Sequence, residues 1–162
     1  MTCHERNLPL CFIAVIKNWY DKLTSVVKWN SVFSMLFVVR SGVRQGGILS
    51  PILFNVYVND LVNNLVDKDC GCHVGSVFFG CFIYADDVIL LSPSLIGLQA
   101  MLDVCACYGN THDIIFNSKK SVCMVVGKSV IAPLPSMSIG DDNINWVKSL
   151  KYLGVTFVNI SK

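Results

Sequence analysis

The chain has 162 residues, eight of them cysteine, with 53% hydrophobic and 15% charged side chains and a net charge of +2. That length suits one domain with a sizeable core, and so apolar a composition excludes a disordered region. The small net charge gives no global signal for nucleic acid, so local groups such as Lys119, Lys120 and Lys128 have to be judged by position.

In chain order, Phe12, Ile13, Ile16, Trp19, Tyr20 and Leu23 recur at helical spacing over residues 9–23, with Pro9 suited to a first turn. "SVVKWN" and "SMLFVVR" are short, β-branched and aromatic, and predict a hairpin around Asn30. "RSGVRQGGILSP", Arg40 to Pro51, is a glycine-rich loop leading into a helix, with Ser50 as cap and Pro51 at the first helical position. Leu53, Tyr57, Leu61 and Leu65 form its stripe, and it should end near Val66. Two strands are expected from about Val74 to Leu91, then a helix capped by Ser94 with a stripe of Leu95, Leu98, Met101, Leu102, Cys105 and Tyr108. "IIFNSKKSVCMVV" reads as strand, turn and strand, and "MSIGDDNINWVKSLKYLGVTF" as a further hairpin-like set. This order predicts an α+β domain, an antiparallel sheet with helices packed on one face.

The longest stretch without formal charge, Cys70 to Ala85, is shorter than the ~20 residues of a membrane span and is broken by Gly71, Gly75 and Gly80, so no membrane partner is expected. "MTCHERNLPLCF" lacks the basic-then-apolar layout of a signal peptide, which makes an intracellular location the default, nucleus and cytoplasm not distinguished. In a reducing compartment most of the cysteines would be buried small apolar residues. Zinc is the competing reading, but Cys70 with Cys72 and Cys105 with Cys107 are C-x-C pairs, and His73 and His112 do not complete a four-ligand set.

"CFIYADDVILL", Cys81 to Leu91, sets two adjacent aspartates between apolar runs that read as strands buried on both faces. Neighbouring carboxylates repel and lose hydration, so staying ionised requires a positive partner. A divalent cation with oxygen ligands supplies it, and magnesium often takes only one or two carboxylates from protein. An ordinary polar turn is the commoner reading of the dipeptide alone. Against it stand the missing glycine of a tight hairpin and the apparent burial of the flanks.

Four segments in order, "SGVRQGGILSPILFNVYVNDL", "CFIYADDVILLS", "FNSKKSVCMVVG" and "LKYLGVTF", resemble the successive palm motifs of reverse transcriptases of non-long-terminal-repeat, LINE-type retrotransposons. The resemblance covers nearly the whole chain. It implies a partial polymerase palm over residues 1–128, with residues 129–162 as the palm-edge hairpin leading toward a thumb. It makes Asp86 a metal ligand and Asp87 its neighbour in the catalytic carboxylate set, with Tyr84 and Ala85 shaping the turn beside the primer end. Arg44, Gln45, Gly46 and Gly47 match the loop that packs against the nascent base pair, where glycine permits close backbone approach and Gln45 offers donor and acceptor. Their alternative is a glycine loop that merely precedes a helix cap. Lys120 sits where the family often has a lysine near the incoming triphosphate, or is a solvated turn lysine. Lys151 and Tyr152 match a hairpin that contacts the primer.

The resemblance further implies two Mg2+ ions, an RNA template, a DNA primer and deoxynucleoside triphosphates in the complete enzyme. The family carries another metal-binding aspartate on an upstream strand, followed by a helix; this chain opens with that helix, and Met1 to Asn7 contains no aspartate. The expectation is therefore a reverse transcriptase fragment, inactive as the isolated chain, that exposes apolar surface the complete enzyme would cover. The alternative is a degenerate retroelement remnant acting at most as a nucleic-acid or protein binding module.

Overall fold

The computed structural model describes residues 8–40, 42–44, 46–127 and 133–159. They form two compact units, Met1–Tyr57 and Val58–Lys162, each described by itself.

In the first unit, α1 (Leu10–Asp21) starts behind Pro9, whose carbonyl accepts from the amides of Phe12 and Ile13 at 2.9 and 3.1 Å. Proline fits this place because its missing N–H would have had no helical partner. The expected stripe lies on this helix except for Leu23, which follows its end at Asp21, and no residue of the helix is buried. Next come β1 (Thr24–Ser25), β2 (Lys28–Trp29), β3 (Val32–Phe33) and β4 (Phe37–Val38). They nest antiparallel, β2 on β3 inside β1 on β4. Asn30 makes the inner turn with φ of 54°, a conformation asparagine tolerates better than most residues. The hairpin lies where the sequence predicts it.

Helix α2 (Ser50–Lys68) runs from the first unit into the second. Ser50 is its first residue rather than a cap outside it, and the helix runs on past Val66 to Lys68. Leu61 and Leu65 of the expected stripe are buried, whereas Tyr57 is exposed. In the second unit follow β5 (His73–Val74), β6 (Val77–Phe78), β7 (Cys81–Tyr84), β8 (Asp87–Leu90) and α3 (Leu95–His112). After them come β9 (Val122–Cys123), β10 (Met137–Ile139), β11 (Asp142–Trp146), β12 (Ser149–Tyr152) and β13 (Val155–Val158). The Ser94 hydroxyl accepts from the Gly97 amide at 3.0 Å, capping α3 as the sequence indicates.

The core has two parts. Leu61, Leu65, Met101, Cys105 and Tyr108 of α2 and α3 meet Cys81, Ile83 and Leu90 of β7 and β8. Leu102, Cys123, Met137 and Ile144 form the other, where α3 covers β10 and β11.

Helices and strands in these proportions make a mixed α+β fold, as expected, but the sheet is not one antiparallel surface. Among the described residues the strands pair in six separate groups, and β9 joins β11 in parallel. The two strands expected over Val74 to Leu91 are four short ones, because Gly75 takes a φ of 61° and turns β5 back onto β6. The segment before "NSKKS" is not a strand. Asp113 adopts the left-handed conformation at φ 53° after α3, the Ile114 amide returns to the Gly109 carbonyl at 3.0 Å, and Ile115 is left exposed.

Cysteine burial is less general than composition suggests: Cys105 and Cys123 are buried, Cys70, Cys72 and Cys81 half-buried, and Cys11 and Cys107 exposed. Burial pushes the Cys81 thiol up to about 11, and burial with the neighbouring Cys81 pushes Cys105 up to about 12. Only a thiolate attacks a disulfide reagent. An aromatic disulfide titrant at pH 8 should therefore label Cys11 and Cys107 promptly and Cys105 only after denaturant is added, read by peptide mass. Unfolded thiols ionise near 9 while these stay protonated, so their contribution to stability is complete below pH 9 and is lost as pH rises through 11 to 12.

Candidate active site: the aspartate hairpin and its neighbours

Strands β7 and β8 pair with Cys81 opposite Leu90, Phe82 opposite Ile89, Ile83 opposite Val88 and Tyr84 opposite Asp87. Side chains alternate across a strand, so Cys81, Ile83 and Leu90 pack into the core while Phe82, Tyr84 and Asp87 lie on the other face. The flanks are thus buried on one face only. Phe82 is half exposed, Tyr84 is 63% exposed, and both aspartates are solvent-accessible. The sequence misleads here because Phe82 and Ile89 are as apolar as the inward residues, which hides the alternation. Phe79 lies 6.4 Å from Phe82, ring centre to ring centre, and extends this outward aromatic face.

The loop joining the strands is Ala85 and Asp86, and Asp87 is already the first residue of β8. Two-residue hairpin loops need positive φ, which is why they favour glycine. Here Ala85 takes it, at φ 50°. A Cβ in that region costs about 1–2 kcal/mol. Ala85→Gly should therefore raise stability by about 1 kcal/mol, a rise in Tm of roughly 2–4 °C for a chain of this size. An unchanged or lower Tm would mean that the turn is unstrained.

The second tip belongs to β12 and β13, paired Tyr152 to Val155 and closed by Leu153 and Gly154 at φ of 46° and 83°. Burial, then the charge of Asp87, then the Tyr84 phenol, push the Tyr152 hydroxyl above its ordinary value. Asp87 and Tyr84 thus lie near enough to Tyr152 to act on its phenol, although they are far from it in sequence. A phenol shifted in this direction stays protonated at neutral pH. Lys151, next to it on β12, is exposed.

Lys120 closes a turn in which its amide reaches the Asn117 side-chain and main-chain oxygens, each at 3.1 Å. The Ser118 hydroxyl ties this turn to Asp142 at 2.8 Å, and the Lys120 side chain is exposed. Arg44, Gly46 and Gly47 belong to the first unit, and Gln45 lies outside the described residues. Gly46 has φ 77°, and the Gly47 amide bonds the Arg44 carbonyl at 3.0 Å. The Ser50 hydroxyl also donates to that carbonyl, and a Cβ on Gly47 would meet the Ser50 oxygen at 2.7 Å. Gly46 is thus favoured by its positive φ, and a side chain at Gly47 would push the Ser50 hydroxyl off that carbonyl.

Asp86 and Asp87 offer oxygen donors only, adjacent and open to solvent, a set that fits one or two positions of a hard divalent cation. Among the described residues no three His, Cys, Asp or Glu side chains gather closely enough to form a complete cation site. None of the described helices is long and apolar enough to cross a membrane. Spacing does not single out a cavity in the first unit lined by Trp19, Lys22 and Arg44. Its signal is the distribution of charge: Met1–Tyr57 carries six Lys and Arg against two Asp and Glu, net +4, and Val58–Lys162 seven against nine, net −2.

Residues 1–157 match the family described as reverse transcriptase (RNA-dependent DNA polymerase). The chain is 30% identical over 166 aligned positions to the Retrovirus-related Pol polyprotein from type-2 retrotransposable element R2DM of Drosophila melanogaster, covering 96% of this chain and 15% of that protein. It is 32% identical to the corresponding polyprotein from the type-1 element R2 of Popillia japonica, over 85% of this chain and 24% of that protein. With the RNA-directed DNA polymerase from the mobile element jockey of Drosophila melanogaster it shares 25% identity, over 94% of this chain and 17% of that one. The chain therefore spans between about a seventh and a quarter of the length of these relatives. A match over nearly its whole length, with relatives among the polymerases of non-long-terminal-repeat retrotransposons, makes the chain a member of the reverse transcriptase family.

Proposed function

We propose that this chain is the carboxylate-bearing part of a reverse transcriptase palm, and that in the complete enzyme it takes part in RNA-templated DNA synthesis from deoxynucleoside triphosphates. The observation that carries the reading is the exposed pair Asp86 and Asp87 at a hairpin tip, with Tyr152 of a second tip in electrostatic reach. Asp86, in the loop, and Asp87, at the strand end, would hold magnesium, which when bound neutralises the triphosphate and activates the primer hydroxyl.

The chain's own residues do the rest. Inward packing of Cys81, Ile83 and Leu90 fixes the hairpin against α2 and α3, so the two carboxylates are held on a rigid element. Tyr84 offers an exposed ring beside the primer end, and Tyr152 offers a neutral donor near Asp87. Lys151 supplies a positive charge for the primer backbone, and Lys120 one for the triphosphate. The segment that corresponds to the family's loop at the nascent base pair is Arg44 to Gly47, in the first unit.

A second reading, a non-catalytic remnant that only binds, is favoured by one observation: the aspartate pair has no third ligating side chain grouped with it among the described residues. Metal binding and extension separate the two. Manganese(II), followed by the loss of its free-ion spectrum, should bind the chain weakly and lose that binding in Asp86→Asn. Extension of a primer on RNA should appear once a preceding segment with a strand aspartate is joined to the chain, and should disappear in Asp86→Ala. Metal binding unchanged by Asp86→Asn contradicts the polymerase reading.

A further inference from the structure

The turn that carries Lys120 is held from two sides, and neither hold belongs to the aspartate hairpin. Asn117 closes it from inside. Its main-chain carbonyl accepts from the Lys120 amide at 3.1 Å and from the Ser121 amide and hydroxyl, each at 2.9 Å, while its side-chain oxygen accepts from the Lys120 amide at 3.1 Å. Asp142 holds it from outside, its carboxylate accepting from the Ser118 hydroxyl at 2.8 Å. That second contact has a topological cause. Strands β9 and β11 run parallel, Val122 beside Asn145 and Cys123 beside Trp146, so the chain enters both from the same end: the Ser118 turn ahead of β9, and Asp142 at the first position of β11. An antiparallel pairing would have sent the two to opposite ends.

Behind Asp142 the anchorage leads to α3. Asp142 pairs with Ile139 across β10 and β11, and Asn143 with Ser138. One side chain of the helix grips both main-chain groups of Ser138: Gln99 Oε1 accepts from its amide at 3.0 Å, and Gln99 Nε2 donates to its carbonyl at 2.9 Å. The same Nε2 donates to Asp103 Oδ1 at 2.8 Å, which sets the amide in that orientation. Helix α3 also carries Met101 and Cys105, against which Cys81, Ile83 and Leu90 of the aspartate hairpin pack. Lys120 and the carboxylates Asp86 and Asp87 are thus referred to one helix.

We infer that Asp142 is a positioning residue for Lys120: through Ser118 it sets where the turn presents the ammonium to the triphosphate. The inference rests on the reading of Lys120 as the cation for that group, and adds to it a residue whose own charge has the wrong sign to bind phosphate. A lysine stem is long and flexible, so its charge is placed only as well as its backbone is held. A charge fixed in advance needs no reorganisation when substrate arrives, and a shift of about 1 Å can cost on the order of 100-fold in rate. A carboxylate that only solvated its own turn would need no partner, whereas this one takes a hydroxyl from a segment outside its hairpin. Bonds to an ionised acceptor are the shorter and stronger ones.

Two measurements test it. In the 162-residue chain, amide hydrogen exchange followed by NMR should quicken at Lys120 and Ser121 about 10-fold in Asp142→Ala, and stay near the parent rate in Asp142→Asn, which keeps an acceptor oxygen for Ser118. The Gly97 amide, capped by Ser94 in α3, is the control and should not change. The other measurement uses the chain joined behind the aspartate-bearing upstream segment of a relative, and follows single-turnover extension against deoxynucleotide concentration. Asp142→Ala should raise the concentration for half-maximal rate about 10-fold, with manganese(II) binding at the aspartate pair unchanged. In a Lys120→Ala background the same substitution should add nothing, because the group it positions is gone. Losses that add in the double variant, or exchange at Lys120 untouched by Asp142→Ala, overturn the inference and leave the polymerase reading standing. A joined parent that extends no primer overturns that reading, and the inference with it.

Discussion

The 162-residue chain, purified alone and given RNA template, DNA primer, triphosphates and magnesium, should incorporate no measurable deoxynucleotide. The reason lies in the donor set. Phosphoryl transfer by a clamped pair of cations needs the attacking hydroxyl and leaving oxygen fixed together. Asp86 and Asp87 are carboxylates at one exposed hairpin tip, and among the described residues no third ligating group joins them. A reacting centre held from one side is free to shift, and a displacement of about 1 Å costs on the order of 100-fold in rate. The loss of fixed alignment should take turnover below that of a completed site by at least this factor. A single-turnover assay with radiolabelled primer resolves it. Steady extension by the chain alone would mean that the site is completed within these residues.

Met101→Ala is the other large effect. Met101 is fully buried in α3, where the helix meets α2 and the aspartate hairpin. Removing its thioether leaves a cavity that a close-packed interior fills only partly, at a cost of about 2–5 kcal/mol. For a chain of this size Tm should fall by roughly 5–15 °C. The hairpin depends on the same contacts, so labelling of Cys81, half-buried in that cluster, should quicken in step with unfolding. Ile96→Ala, on an exposed position of the same helix, should change Tm little. A Met101→Ala protein as stable as the parent would place the core elsewhere.

Local chemistry was legible where a single residue type decides the geometry. Ser94 is a helix cap because its hydroxyl reaches the Gly97 amide, and Asn30 turns a hairpin because asparagine tolerates positive φ. The order of elements sufficed for an α+β class, since helical and strand periods are distinct. The carboxylate tip could be placed to within one residue, as the loop is Ala85 and Asp86 rather than the aspartate pair itself.

What was hidden depends on tertiary context. Phe82 and Ile83 are alike in hydropathy but lie on opposite faces, and only packing against Leu61, Leu65 and Met101 chooses between them. Ile114 and Ile115 have strand propensity, which the left-handed Asp113 and the amide bond back to Gly109 override. The parallel pairing of β9 with β11 joins segments far apart in the chain, and nothing in either short strand announces it. Trp19 was legible as part of a helical stripe, but its exposure was not, because a stripe does not reveal whether anything covers it.

We propose that Asp86 and Asp87 form one part of a polymerase site whose remainder comes from a strand ahead of them. The direct measurement is primer extension on RNA by the chain joined behind the aspartate-bearing upstream segment of a relative, alongside its Asp86→Ala and Cys105→Ser variants. Expected are magnesium-dependent extension by the joined chain, its loss in Asp86→Ala by at least about 100-fold, and near-parent activity in Cys105→Ser, whose buried thiol lies in the core beneath the hairpin. Extension that survives Asp86→Ala would contradict it.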